Sequence, residues 1–149
     1  MAAIYDDAVR TSVATFDLEP VGHALLSDKV ARAGGSDHVL VAVNGNAVLG
    51  YAHSNPFRPR PAYAGTQEVT VYVAGGSRRL GIGRLLYAEL LSRLDSETGV
   101  HTQIAVIAQP NPASEALHRA FGFRDVGTLT EVGHKLGRWV DVLYLQRLP

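Results

Sequence analysis

The stretch 71–86 reads VYVAGGSRRLGIGRLL and joins an apolar run to a leucine-rich segment. We expect residues 71–73 to end a strand, residues 74–83 to form a glycine-rich loop, and a helix to follow. The first N–H groups of a helix lack intrahelical partners and, with the helix dipole, favour an anion. Three arginines add positive charge there: Arg78, Arg79 and Arg84. The stretch predicts an anion site, with a tight turn carrying solvated arginines as the alternative.

Length and composition limit the classes of protein. The chain has 149 residues, of which 46% are hydrophobic and 19% charged, which predicts one globular domain over 1–149. Fourteen basic residues balance 14 acidic ones, so we expect a small anionic ligand and no nucleic acid. The absence of cysteine excludes thiolate catalysis and cysteine-ligated zinc. No transmembrane or signal pattern is present, which predicts a cytoplasmic protein.

The periodicity of apolar residues predicts alternating helices and strands. An NGN turn at 44–46 predicts a hairpin. The predicted elements, in order, are helices at 4–13 and 22–33, strands at 38–43, 47–54 and 67–73, a helix at 82–94, a strand at 101–108, a helix at 112–123, and two extended stretches at 123–133 and 139–148. This order predicts a mixed α/β domain, mostly antiparallel at the front, with right-handed crossovers behind.

Residues 67–73 alternate in polarity, which assigns side chains to the two faces of a strand. Val69, Val71 and Val73 share one face; the opposite face carries Glu68, Thr70 and Tyr72. In the helix that follows, four apolar residues recur on one side: Ile82, Leu86, Leu90 and Leu94. The apolar faces of strand and helix are expected to form the core.

Two common phosphate loops do not fit the glycine-rich stretch. A dinucleotide fingerprint requires a glycine three residues after Gly83, where the chain has Leu86. A Walker loop requires lysine and a hydroxyl residue after its closing glycine, and Ile82 follows Gly81 instead. Neither class is therefore predicted.

The pattern that fits is Arg-x-x-Gly-x-Gly, formed by Arg78, Gly81 and Gly83. A second pattern lies downstream in NPASEALHRAFGF, residues 111–123, which contains Asn111, Ser114, Leu117, His118, Gly122 and Phe123. Together these patterns resemble the GNAT superfamily of N-acetyltransferases. Leu117 and Phe123 are also explained as core residues, and Asn111 as a helix cap.

The resemblance implies acetyl-CoA as co-substrate and no metal. Backbone amides of the loop would hold the pyrophosphate, and Asn111 would bond the pantetheine arm. The residues expected to bind acetyl-CoA are Val71, Tyr72, Val73, Arg78, Arg79, Leu80, Gly81, Ile82, Gly83, Arg84, Asn111 and Ser114. The histidines include no His-x-x-x-His pair, which agrees with the absence of a metal.

Three stretches carry a closer resemblance, to the phosphinothricin and methionine sulfoximine acetyltransferase branch. They read GYAHSNPFRPRPAY, TQEVTVYV and VGHKLGRWVDVLYLQ. The resemblance implies the GNAT fold, a mixed, mostly antiparallel sheet flanked by helices, with its first strand missing or shortened. It also implies acetylation of the α-amino group of a small amino acid and a homodimer. Leu136 departs from the aromatic residue or histidine usual in the branch.

The expected chemistry requires a base, a group that polarises the thioester carbonyl, and a route for the thiolate to leave. Glu68 matches the branch's Thr-x-Glu position, to which the base role is assigned; an exposed surface glutamate is the alternative. A backbone N–H near Val73 would meet the oxyanion. His118 stands where many members have tyrosine, and is either the acid for the leaving group or a residue lining the coenzyme tunnel.

An amino-acid acceptor carries a carboxylate that requires a cation. The branch's loops match Phe16, Arg60 and Tyr63, which are therefore expected to bind the acceptor, with Arg58 as a further candidate. Lys135 belongs to a late turn that covers the acceptor in the branch, as do His134 and Trp139, although core packing also explains Trp139.

Two other functions remain open from the sequence. One is an acetyl-CoA-binding protein without transferase activity, suggested by the short N-terminus and Leu136. The other is an acetyltransferase for a peptide N-terminus or another amine. A polyamine site would require acidic residues, whereas the 57–63 loop is basic.

Overall fold

The computed structural model describes the backbone of all 149 residues and the side chains of all but Leu25 and Arg32. The elements, in order, are α1 (Ala2–Thr11), α2 (Gly22–Arg32), β1 (Val39–Asn44), β2 (Ala47–Pro56), β3 (Thr66–Val73), α3 (Ile82–Ser96), β4 (Thr102–Ala108), α4 (Pro112–Ala120), β5 (Arg124–Lys135) and β6 (Arg138–Arg147). Short 3-10 turns at Pro61–Tyr63 and Gly75–Ser77 precede β3 and α3. Every predicted element is confirmed, with ends shifted by a few residues.

The six strands form one sheet in the order β1-β2-β3-β4-β6-β5. All neighbours are antiparallel except β3 and β4, which are parallel and connected through α3. The predicted mixed, mostly antiparallel sheet is therefore confirmed. Among the described residues no strand precedes α1, so β1 and β5 form the two edges.

Helix α3 covers one face of the sheet. Leu86, Leu90 and Leu94 on its predicted apolar side are buried and form one core cluster with Ala52 of β2 and Val69 of β3. Because side chains alternate along a strand, the opposite face carries the odd-numbered residues of β2 and the even-numbered residues of β3. Helices α1 and α2 lie on that opposite face, where they enclose polar side chains.

Two hairpin turns contain residues with positive φ, and the first of them is the turn predicted at 44–46. Gly45, in the turn between β1 and β2, has φ +56°. Leu136 and Gly137, between β5 and β6, have φ +51° and +73°. Two successive positive φ values are typical of the type I′ turn, which matches the twist of antiparallel strands. Leu136 is therefore a turn residue, and its side chain is 57% exposed.

Strands β3 and β4 are paired over only part of their length. The pairing joins Thr66–Glu68 to Thr102–Ile104, although both strands continue beyond it. The N–H of Ala74 donates to the Leu49 carbonyl on the β2 side at 2.9 Å. Since successive residues of a strand direct their N–H groups to opposite sides, those of Val71 and Val73 face β4. The gap between the separating strands is thus lined by backbone polar groups.

Among the described residues, no helix combines the length and the apolar character that crossing a membrane requires.

Candidate active site

A large cavity of about 1080 Å³ opens where β3 and β4 separate. The loop before α3 and the start of α4 form its other walls. Of the residues expected to bind acetyl-CoA, those that line this cavity are Val71, Tyr72, Val73, Arg78, Arg79, Gly81, Ile82, Gly83, Arg84, Asn111 and Ser114. Leu80 is 68% exposed and does not line it. We call this space the larger cavity.

The glycine-rich loop ends in a helix N-terminus at the wall of the larger cavity. Gly81 is the N-cap of α3, with φ +79°, and the first helical bond runs from the Leu85 N–H to the Gly81 carbonyl at 3.0 Å. The N–H groups of residues 82–84 therefore lie outside the helical ladder and are available to an anion. Arg78, Arg79 and Arg84 are exposed around them. These donors and charges fit the diphosphate of a coenzyme A thioester.

Asn111 has the cap contact that the alternative reading predicted. Its side-chain oxygen accepts from the Ser114 N–H at 3.2 Å, at the start of α4. This bond satisfies one of the free N–H groups of the helix. Asn111 also lines the larger cavity, so capping and contact with a pantetheine arm are compatible.

His118 is 3% exposed and packs against aromatic rings. Its ring centroid lies 4.9 Å from that of Tyr87 and 5.3 Å from that of Phe123. Nδ1 lies 2.7 Å from the Ser114 carbonyl oxygen, a position that requires a proton on Nδ1. Burial lowers the pKa of His118, which favours the neutral ring. In that state Nε2 carries no proton to give, so the contacts favour a structural role, and the acid role stays a prediction.

A second cavity of about 340 Å³ lies on the face of the sheet that α1 and α2 cover. We call it the smaller cavity. It adjoins the larger one, because both are lined by Val13, Ala14, Thr70, Tyr72, Val106 and Ala108. A donor in the larger cavity and an acceptor in the smaller one would therefore meet where the strands separate.

Glu68 lies in the wall of the smaller cavity, half-buried on β3. Burial raises the pKa of its carboxyl group, and the charges of Arg58 and Lys29 oppose that shift. A raised pKa makes the carboxylate a stronger proton acceptor. This environment differs from that of the exposed surface glutamate considered as the alternative.

The loop after α1 covers the smaller cavity and is held at several points. The Tyr5 hydroxyl donates to Asp17 at 2.6 Å and lies 2.7 Å from the Thr15 hydroxyl. The Tyr72 hydroxyl donates to the Ala14 carbonyl at 3.2 Å. Phe16 lines the cavity as expected, and its ring packs so closely on Gly133 that a Cβ there would overlap it.

Three other residues expected to bind the acceptor do not line the smaller cavity of the described chain: Arg60, Tyr63 and Lys135. Arg60 and Tyr63 are exposed on the loop before β3, where the Tyr63 ring lies 5.8 Å from that of Phe57. Lys135 is buried, and its ammonium donates to the Thr15 carbonyl at 2.7 Å. Lys135 thus holds the covering loop. The acceptor role of Arg60, Tyr63 and Lys135 stays a prediction.

Several lining residues were missed by the sequence analysis. Tyr51, His53 and Asn55 line the smaller cavity from β2, and Lys29 lines it from α2. Tyr51 and His53 lie two residues apart on the strand predicted at 47–54, and Asn55 continues this spacing one residue beyond it, which is a usable signal. Lys29 carried no such signal, because its place depends on how α2 packs over the sheet.

No cluster of side chains suited to a metal ion occurs in the part of the chain that the structure describes.

Comparisons with known proteins agree with this geometry. Residues 1–123 match the acetyltransferase (GNAT) family. A phosphinothricin N-acetyltransferase of Streptomyces coelicolor is 46% identical over 97% of this chain and 86% of its own length. An L-methionine sulfoximine/L-methionine sulfone acetyltransferase of Pseudomonas paraeruginosa is 38% identical over 97% of this chain and 84% of its own length.

Two solved structures have the same fold. A GNAT superfamily phosphinothricin acetyltransferase from Sinorhizobium meliloti, in complex with acetyl-CoA, superposes with a TM-score of 0.92, 36% identity, and coverage of 99% of this chain and 80% of its own. A ribosomal-protein-alanine N-acetyltransferase from Brucella melitensis has a TM-score of 0.90, 41% identity, and coverage of 99% and 91%.

Proposed function

The chain belongs to the GNAT family of acetyltransferases, and we propose that it transfers the acetyl group of acetyl-CoA to the α-amino group of a small amino acid of the phosphinothricin or methionine sulfoximine type. The observation that carries the proposal is the junction of the two cavities. A coenzyme-sized space with an anion-binding helix end meets a small polar space with a half-buried carboxylate.

On the donor side, the chain supplies backbone groups. The N–H groups of residues 82–84 at the start of α3 would hold the diphosphate, with Arg78, Arg79 and Arg84 adding charge. The bound thioester supplies an activated acetyl group. The N–H groups of Val71 and Val73 face the gap between β3 and β4, where they would polarise the thioester carbonyl.

On the acceptor side, Glu68 would receive the proton of the amine. A free α-amine has a pKa of roughly 8, so most of it is protonated at neutral pH and must lose a proton before it attacks. The raised pKa of Glu68 suits that role. The proton would pass from the amine to the carboxylate through one water. A thiol with a pKa of roughly 8.5, as in cysteine, leaves readily as the thiolate, so no dedicated acid is required.

A second acceptor has one specific observation in its favour. The Brucella melitensis structure, 41% identical, is named for acetylation of an alanine of ribosomal protein. A peptide would have to extend out of the smaller cavity past the loop at Ala14–Asp17, which the Tyr5 and Lys135 contacts hold in place. Those contacts favour a small acceptor.

The proposal is tested by thiol release from acetyl-CoA with three acceptors: L-phosphinothricin, L-methionine sulfone and a tripeptide with N-terminal alanine. A reaction without acceptor corrects for thioester hydrolysis, and mass spectrometry identifies the product. We expect the two amino acids to be acetylated and the tripeptide to react far more slowly. Faster acetylation of the tripeptide would show that the acceptor is a peptide N-terminus and not a free amino acid. Binding of acetyl-CoA without any thiol release would support a binding protein instead.

We also propose a homodimer. β5 is an edge strand, and edge strands in stable proteins are usually covered or otherwise protected. Large apolar side chains are exposed along β5 and β6: Val126, Leu129, Val132 and Trp139. Light scattering at micromolar concentration should give the mass of a dimer; the mass of one chain would contradict this proposal without affecting the chemistry.

A further inference from the structure

Lys29 directs its ammonium group to the wall of the smaller cavity. The residue is half-buried on α2, and Nζ lies 3.4 Å from His53 Nδ1, 3.5 Å from His53 Nε2 and 3.5 Å from Asn55 Oδ1. All three distances exceed the usual range for N–H donors, 2.7–3.2 Å. The cation is therefore held loosely by its nearest polar neighbours.

Those neighbours are uncharged. His53 is 7% exposed, and burial, with a smaller contribution from the charge of Lys29, lowers its pKa to about 3. The imidazole is neutral at physiological pH, and the Asn55 amide carries no charge. Burial lowers the pKa of Lys29, while the charges of Glu68 and Asp37 act at longer range to raise it. An anion in the cavity would stabilise the ammonium further.

A second polar group in the same wall has no protein partner. Tyr51 is 0% exposed, and its hydroxyl is buried without a hydrogen-bond partner among the described residues. Its ring is stacked on that of His53, with 6.2 Å between centroids and 15° between planes. Burial raises the pKa of Tyr51, so the hydroxyl keeps its proton and can donate it. A buried donor without a partner costs free energy, which a bound acceptor atom would recover.

The strand register places these groups beside the proposed base. Asn55 pairs with Glu68, His53 with Thr70, and Tyr51 with Tyr72, all on the cavity face. Directly opposite side chains on antiparallel strands are roughly 5 Å apart at Cβ. Lys29, in contact with Asn55 and His53, therefore lies close to Glu68. An α-amino acid carries its amine and its carboxylate on one carbon. One acceptor molecule can therefore face Glu68 with its amine and Lys29 with its carboxylate.

We propose that Lys29, assisted by the Tyr51 hydroxyl, binds the α-carboxylate of the acceptor while Glu68 faces its α-amine. This inference rests on the proposed function and specifies how its substrate class is selected. The cation would bind the carboxylate by charge, and the Tyr51 O–H would donate to it. Amino-acid amides, which lack the charge, would be disfavoured.

The test compares L-methionine sulfone with its carboxamide, two acceptors that differ only in the carboxylate. For each enzyme we take the ratio of kcat/KM for the acid to that for the amide, so that differences in amine pKa cancel between variants. Lys29→Met should lower this ratio about tenfold or more, the scale of one hydrogen bond to a charged group. Tyr51→Phe, which removes a single oxygen, should lower it several-fold. The KM for acetyl-CoA should not change.

Arg10→Met is the matched control, because it removes an exposed cation of α1. Its ratio should equal that of the parent. Equal losses for acid and amide, or an unchanged ratio in Lys29→Met, would overturn the inference. Should Lys29→Met not fold, the ratio of Tyr51→Phe decides alone, and an unchanged value counts against the proposal. If the parent acetylates neither acceptor, the proposed function itself fails, and this outcome is distinct from the others.

Discussion

The Lys135 ammonium donates a hydrogen bond to the Thr15 carbonyl oxygen at 2.7 Å, across 120 positions of sequence. Two residues earlier on β5, Gly133 lies directly under the ring of Phe16. The end of β5 thus fixes the loop at Ala14–Asp17, which forms part of the smaller cavity. Strand β5 therefore shapes the smaller cavity without contributing a side chain that lines it.

Lys135→Met should loosen this loop. The change removes a charge-assisted bond while keeping the length of the side chain, and we expect a loss of about 1.5–3 kcal/mol in the free energy of unfolding. The KM for the acceptor should rise, while that for acetyl-CoA stays constant. Urea unfolding and steady-state kinetics measure both. Arg138→Met, an exposed cation at the start of β6, is the control. Unchanged acceptor KM in Lys135→Met would show that the loop does not depend on this contact.

Gly133→Ala should displace Phe16 from the wall of the smaller cavity. A Cβ at position 133 would overlap the ring of Phe16, which is 40% exposed, so we expect the ring to move towards solvent. We expect the acceptor KM to rise several-fold with only a small change in thermal stability. Gly127→Ala on the same strand is the control, since its Cβ would meet nothing within 4 Å. A normal acceptor KM in Gly133→Ala would indicate that Phe16 does not contact the acceptor.

Gly81→Val should weaken binding of acetyl-CoA. Gly81 has φ +79°, a conformation that costs other residues roughly 1–2 kcal/mol, so the backbone of the loop should shift. We expect the Kd by calorimetry to rise about tenfold or more, as for the loss of one charged hydrogen bond. Gly45→Val introduces comparable strain at φ +56° in a turn outside both cavities. Equal affinity for acetyl-CoA in the two variants would show that the loop does not bind acetyl-CoA.

His118→Asn should retain most activity. The asparagine amide can replace the Nδ1 donor to the Ser114 carbonyl but cannot serve as an acid near neutral pH. We expect kcat to fall only a few-fold and the melting temperature to decrease, because the packing against Tyr87 and Phe123 is lost. A loss of about a hundredfold, together with a changed alkaline limb of the pH–rate profile, would instead identify His118 as the acid.

Local sequence signals predict the fold and most of the residues that line the larger cavity. The alternation in β3, the four-residue spacing in α3 and the glycines before α3 are each encoded within a few consecutive residues. The glycine-rich loop is one continuous segment, so its residues are predicted without knowledge of the packing. Leu80 is the exception, because its exposure depends on the direction of one side chain in that loop.

The lining of the smaller cavity is predicted less completely, because it is assembled from distant segments. Lys29 reaches His53 only through the packing of α2 over β2, a contact that no periodicity encodes. The sequence predicts Lys135 near the acceptor, but no sequence pattern reveals that its ammonium donates to the Thr15 carbonyl. In the sequence, Tyr51 has no feature that separates it from other strand residues. The structure distinguishes it by its buried hydroxyl, which has no hydrogen-bond partner among the described residues.

Glu68→Gln should make the folded protein more stable at neutral pH. Burial raises the pKa of Glu68 above 4.5, so the folded protein holds this proton more tightly than the unfolded chain does. Stability associated with the protonated carboxyl is therefore present below pH 4.5 and is lost as the pH rises through the folded-state pKa. We expect Glu68→Gln to unfold at a higher temperature than the parent at pH 7, with the difference vanishing at low pH.

The most direct measurement of the central claim is the pH–rate profile of the parent and of Glu68→Gln with acetyl-CoA and L-phosphinothricin. If Glu68 accepts the amine proton, kcat/KM at neutral pH should fall about a hundredfold or more in the variant, with unchanged affinity for acetyl-CoA. The loss should shrink above roughly pH 9, where the amine is already deprotonated. A variant within a few-fold of the parent at neutral pH, or a loss that stays constant with pH, would contradict the assignment of Glu68 as the base.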